Sequence, residues 1–232
     1  MTVNVRTPEH RPTVVAGALS IAAGVLALAL VGRTPAQRTA LVVGIVGIAL
    51  VAAGDAAWRR RSRVPGVALG VAGVVVAAGS LLLAVTLPQA TVHRIELVPG
   101  IVGLFVLLAG LLPIRRGRER TLTTLGTGLL FVTVLTSGVV QGAPPTSLFL
   151  AGIATVVAWD AADHAISLGR QVGRRATTYR SEVVHVVASS LVGVGAFAIA
   201  FGVYRSTLPE LSLAGFVGLL IAGLAFSFAL YR

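Results

Sequence analysis

Eight apolar stretches fill most of the chain, at 13–32, 39–58, 64–87, 97–114, 121–141, 147–168, 183–204 and 211–231. Each holds 18–24 residues. At about 1.5 Å of rise per residue, a helix of some 20 residues crosses a hydrocarbon core of about 30 Å. None of the stretches alternates in the way a membrane β-strand must. A backbone in lipid has to satisfy its own hydrogen bonds, and an isolated apolar segment does so only as a helix. Composition agrees. Residues of the AVILMFWYC set make up 56% of the 232 positions and charged residues only 12%, about half the charge of a soluble domain. Soluble, disordered and fibrous classes are excluded. The expected fold is all-α: a polytopic integral membrane bundle of about eight transmembrane helices. Ala27-Leu28-Ala29 imitates a cleavage site, but the first stretch is longer than a signal-peptide core and is read as a retained span.

The linkers give an orientation. All 19 basic residues are Arg, and the formal net charge is +11. If alternate linkers lie on alternate sides, one side carries 15 Arg and the other four. Basic residues in short loops stay in the cytoplasm, so both termini are expected inside the cell membrane. Residues 1–12 then form a cytoplasmic tail, 13–114 the first four spans, 115–120 a basic inner loop, and 121–232 the last four spans, with a second basic loop at 169–182. Basicity of this origin needs no nucleic acid.

The even-numbered stretches share a phrase: Gly44-Ile45-Val46-Gly47, Gly100-Ile101-Val102-Gly103, Gly215-Phe216-Val217-Gly218, and a degraded form at Gly152-Ile153-Ala154-Thr155. A second echo relates Ala53-Gly54-Asp55-Ala56-Ala57 to Ala158-Trp159-Asp160-Ala161-Ala162. One reading is duplication of two-helix or four-helix units, which would run parallel. The other is chance repetition in a Gly/Ala/Val/Leu-rich chain. Gly66-x-x-x-Gly70 and Ser20-x-x-x-Gly24 offer small faces for close helix packing.

Charges inside a bilayer are functional suspects by default. Asp55 has Arg59 four residues on, an i,i+4 pair expected to be structural. Asp160 lies deeper. Asp163 and His164 follow at i+3 and i+4, and Glu182-x-x-His185 opens the seventh stretch. These five residues form the candidate intramembrane polar site, able to pair, to share a proton or to hold a cation. Arg170, Arg174, Arg175 and Arg180 border it as candidate contacts to anionic lipid headgroups or a protein partner. With no Cys, no Lys and no nucleophile, phosphate-loop or zinc-protease motif, no catalytic residue, cofactor or metal is expected.

The segment Trp159 to Arg174, with Tyr179-Arg180-Ser181-Glu182-Val183-Val184-His185, resembles an uncharacterised family of multi-pass membrane proteins of halophilic archaea, found near genes for MoxR-type ATPases. The resemblance implies a component of a membrane-associated multi-protein system and carries over no catalytic residue. The leading expectation is a non-enzymatic scaffold or accessory subunit whose partners are the bilayer, anionic headgroups and membrane or cytoplasmic proteins. The alternatives are a small-solute or ion transporter using Asp160, and a lipid-modifying enzyme.

Overall fold

The computed structural model describes residues 11–60, 62–87, 91–112, 117–171 and 179–205. Among these residues seven helices follow one another: α1 (Val14–Val31), α2 (Pro35–Arg59), α3 (Arg63–Thr86), α4 (Thr91–Leu111), α5 (Glu119–Gln141), α6 (Pro145–Gln171) and α7 (Tyr179–Arg205). Among the described residues there is no strand. Six of the helices are long and apolar enough to span a membrane; in α4 the apolar run is the shorter Glu96–Leu111. The first seven apolar stretches are thus helical. The eighth, at 211–231, lies outside the described residues. The protein is a membrane-embedded helical bundle.

Helix ends depart from the expected boundaries where local chemistry extends them. α2 starts at Pro35, four residues early, because Thr34 and Gln37 form a reciprocal capping box with Pro at the first helical position. α4 starts at Thr91, so Glu96 is helical and not part of a loop. The basic loop expected at 115–120 is cut by α5, which begins at Glu119. The loop expected at 169–182 is shortened from both sides, placing Glu182 in the first turn of α7. Gly142, with φ of 56°, ends α5 in the left-handed conformation that glycine tolerates best.

The chain divides into two compact units, Met1–Gly195 and Ala196–Arg232. In the second, Phe197 and Phe201 stack at 5.4 Å and Arg205 lies over the Phe201 ring at 5.2 Å. The polar groups singled out by the sequence belong to the first unit.

That unit is built on three antiparallel helix pairs: α2 with α3, α4 with α5, and α1 with α6. Glycine brings the first two pairs into backbone contact. A Cβ on Gly47 would stand 3.1 Å from the Gly73 carbonyl oxygen and 2.9 Å from the Ala77 nitrogen. A Cβ on Gly103 would stand 2.6 Å from the Gly126 oxygen and 3.1 Å from the Leu130 nitrogen. Likewise Gly54 faces Gly66 and Gly70, and Gly110 faces Glu119 and Thr123. Gly44 meets Ser80 as Gly100 meets Thr133. Adding 56 to each α2 number and 53 to each α3 number converts one set of contacts into the other.

The third pair keeps the seven-residue spacing with hydrogen bonds. Thr13 N donates to the Ala165 carbonyl at 3.0 Å and Ser20 Oγ to the Ala158 carbonyl at 2.6 Å. Small residues at every seventh position let helix backbones approach, and dispersion then supplies the association that water would otherwise drive. Leu28, Leu97, Ile101, Leu104, Leu107 and Leu130 fill the space between the pairs.

Candidate functional site

α7 lies against α6 through Val186, which packs on Val157 and Ala161. Its polar residues at 182, 185 and 189 recur at i, i+3 and i+7, a single helical stripe. Each finds a partner on α1 or α6. Glu182, 2% exposed, accepts a hydrogen bond from the Ala16 backbone N–H at 2.6 Å. Ser189 Oγ donates to Asp160 Oδ2 at 2.6 Å. His185 Nε2 sits 2.9 Å from the same oxygen, although outside hydrogen-bond geometry. The His185 ring stacks on that of His164, with centroids 3.8 Å apart and planes inclined by 6°. His164 Nε2 is buried and makes no hydrogen bond.

Three of the five site residues named from the sequence are therefore in direct contact, Asp160, His164 and His185, and the charges of Glu182 and Asp163 both act on His164. Asp163 itself is turned to another helix. Successive helical residues point about 100° apart, so Asp163 and His164 flank the two edges of the Asp160 face. His164 turns to α7, whereas Asp163 turns to α5, where Arg120 Nε lies 3.0 Å from its Oδ1. Arg120 also donates to Ser167 at 3.0 Å.

The arginines divide similarly. Arg170 pairs with Glu119 of α5 at 3.3 Å, and Arg180 is exposed in the first turn of α7. Arg174 and Arg175 lie outside the described residues. Asp55 pairs with Arg59 within α2. Among the described residues no group of three His, Asp or Glu side chains converges on a metal position.

A second polar joint has little signature in the sequence. Gln37 of α2 and Glu96 of α4 are 1% and 2% exposed, and Gln37 Nε2 donates to Glu96 Oε2 at 3.2 Å. The Gln37 side-chain oxygen accepts from the N–H groups of Arg33 and Thr34 at 3.0 and 3.1 Å. Thr34-Pro35-Ala36-Gln37 is a capping-box pattern, and that is the available signal. Ser189 is equally inconspicuous in sequence, whereas Ser20 is marked by its small-residue spacing to Gly24. Only the stripe continuing from Glu182 and His185 points to Ser189.

Both joints lie in helix seams of a bundle whose class, a multi-pass membrane protein, the fold defines. A family model matches residues 76–227, from the second half of α3 onward and across the whole α6–α7 joint. The chain belongs to that family, a family of unknown function (DUF7519). No curated protein and no solved structure matches the chain.

Proposed function

We propose that the protein is a non-enzymatic scaffold or accessory subunit of the cell membrane, with both termini in the cytoplasm. One observation carries this reading: neighbouring helices occupy the carboxylates of the candidate polar site, and Arg170 beside them. Glu182 holds α1, Asp160 holds α7, Asp163 and Arg120 join α6 to α5, and Arg170 joins Glu119. A coupling residue in a transporter needs access to its ion, and a catalytic carboxylate needs access to substrate. Carboxylates spent on helix seams serve a frame. The arginine count in alternate linkers supports the orientation.

The frame itself reads as repeated. The pair contacts step by 53 residues from Thr13 and Ser20 to Gly66 and Gly73, and again to Glu119 and Gly126. In this reading α1 stands to α6 as α3 does to α2 and α5 to α4. It displaces the echoes at Gly152 and Asp160, which require two different offsets from α2 and so cannot both descend from one alignment. The resemblance of 159–185 to the halophilic archaeal family supports a multi-protein system with a MoxR-type ATPase as the partner.

Purification in mild detergent tests the proposal. A protein partner should be recovered in near-stoichiometric amount. It should be lost when Arg174, Arg175 and Arg180 are changed to Gln. Retention of every partner by that variant, or Asp160-dependent solute flux in liposomes, would overturn it.

A further inference from the structure

The two stacked imidazoles limit how many protons the α6–α7 joint can hold. Two imidazolium cations with centroids 3.8 Å apart repel each other, and between helices in a membrane little water screens them. One charged and one neutral ring avoid that repulsion. The charge then has a partner, since His185 Nε2 lies 2.9 Å from Asp160 Oδ2. Nε2 of each ring is buried without a hydrogen bond, but only the His185 nitrogen lies against a carboxylate, which leaves the neutral state to His164.

The charged and polar groups around the pair come from α1, α5, α6 and α7. α6 supplies Asp160 and Asp163, and α7 supplies Glu182. α5 supplies Arg120, which is engaged with Asp163. α1 offers the Ala16 N–H, which Glu182 accepts. Asp163 and Glu182 thus already serve other helices, while Asp160 touches the His185 ring.

We propose that His164, His185 and Asp160 form a binding site for a single proton shared between α6 and α7, and that a second proton loosens α7 from α6. The joint would make the attachment of α7 responsive to the pH on the arginine-rich side of the membrane. This goes beyond the scaffold reading and does not depend on it.

The full chain in lipid nanodiscs, with His10 and His93 changed to Gln and the remaining histidines labelled with 15N, tests the site directly. At one and the same pH the two rings should give unequal 15N patterns, one protonated at both nitrogens and one neutral, and Asp160→Asn should remove that inequality. Equal patterns for the two rings, or an inequality that survives Asp160→Asn, would overturn the proposal.

The attachment of α7 has its own readout. The chain contains no Cys, and a Cβ on Gly193 of α7 would stand 3.7 Å from Ile153 Cβ of α6, within the disulfide range of about 3.5–4.5 Å. Ile153→Cys with Gly193→Cys, oxidised by dithiodipyridine, should cross-link about threefold less in acid, where both rings carry a proton, than near neutrality. The same pair with His164→Gln keeps the thiol chemistry and removes the stack, so its yield should lose that dependence. Equal pH dependence in the two backgrounds would overturn the second half of the proposal.

Discussion

Glu182 of α7 caps the first turn of α1 by accepting the Ala16 N–H at 2.6 Å, across 166 residues of sequence. The helix's own N-cap residue leaves that position open. Thr13 makes no side-chain capping bond, and its hydroxyl is buried without a partner. A carboxylate here satisfies an orphan donor and also meets the positive end of the helix dipole. Glu182→Ala should therefore lower stability by about 1–2 kcal/mol, as loss of a good cap does. Glu182→Gln keeps the acceptor and loses only the charge, so its cost should be smaller, below about 1 kcal/mol. Thermal unfolding in detergent, followed by Trp58 and Trp159 fluorescence, separates the two. Equal costs would mean that the charge dominates.

Glycine contacts in the α2–α3 and α4–α5 pairs make a matched prediction. A Cβ on Gly103 would meet the Gly126 carbonyl oxygen at 2.6 Å, and backbone cannot swing aside as a flexible side chain can. Gly103→Ala should cost about 1–3 kcal/mol, the usual range for overpacking. Gly47→Ala, at the equivalent position in the other pair, should behave alike. A Cβ on Gly128 would meet nothing within 4 Å. Gly128→Ala should be neutral or stabilising by up to about 1 kcal/mol through helix propensity. The melting temperatures of the three variants check the ordering.

The parts of this architecture legible in the sequence are those set by one-dimensional physics. Span length and apolarity place seven of the eight stretches in helices, because lipid leaves the backbone no alternative. Which helices pair is not legible. The Gly44 and Gly100 phrases mark positions of close approach, yet nothing local shows that α1 crosses to α6 while α2 and α4 take their immediate successors. The polar site is half legible. Asp160, Asp163, His164, Glu182 and His185 stand out as charges that topology does not require, but counting i+3 and i+4 as one face hides that Asp163 turns to Arg120 of α5 while His164 turns to α7. Ending a helix at the edge of its apolar run loses Glu96. A buried carboxylate next to a capping glutamine needs a partner 59 residues away to explain it, and a local reading has no access to such pairs.

The α5–α6 ion pairs should contribute far less than the Glu182 cap. Arg120 is 56% exposed opposite Asp163, and Arg170 is 45% exposed opposite Glu119. Exposed pairs of this kind add about 0–1 kcal/mol, because water screens the charges and long side chains lose entropy on pairing. Arg120→Ala and Arg170→Ala should each shift the unfolding midpoint by less than Glu182→Ala does. Raising the salt concentration should erase most of the difference from the unmodified protein.

The orientation of the bundle can be tested with single cysteines, because the chain has none of its own. Ser62 lies in the α2–α3 turn beside Arg60 and Arg63, whereas Pro144 lies in the charge-free turn between α5 and α6. Both positions are exposed. Three helices separate the two turns, so they belong on opposite sides if each helix crosses once. The arginines beside Ser62 should be retained on the cytoplasmic side. A membrane-impermeant maleimide applied to intact cells should then label Pro144→Cys and leave Ser62→Cys unlabelled until the membrane is permeabilised. The reverse pattern would invert the orientation and place the histidine joint at the outer face. Labelling of both positions in intact cells would mean that one of α3, α4 or α5 fails to cross. The helix most exposed to that outcome is α4, whose apolar run is only 16 residues, Glu96–Leu111, with Pro99 inside it. At 1.5 Å per residue that run covers about 24 Å. It spans only if the bilayer thins locally or if neighbouring helices shield its ends. The buried Gln37–Glu96 contact gives one of those ends such shielding.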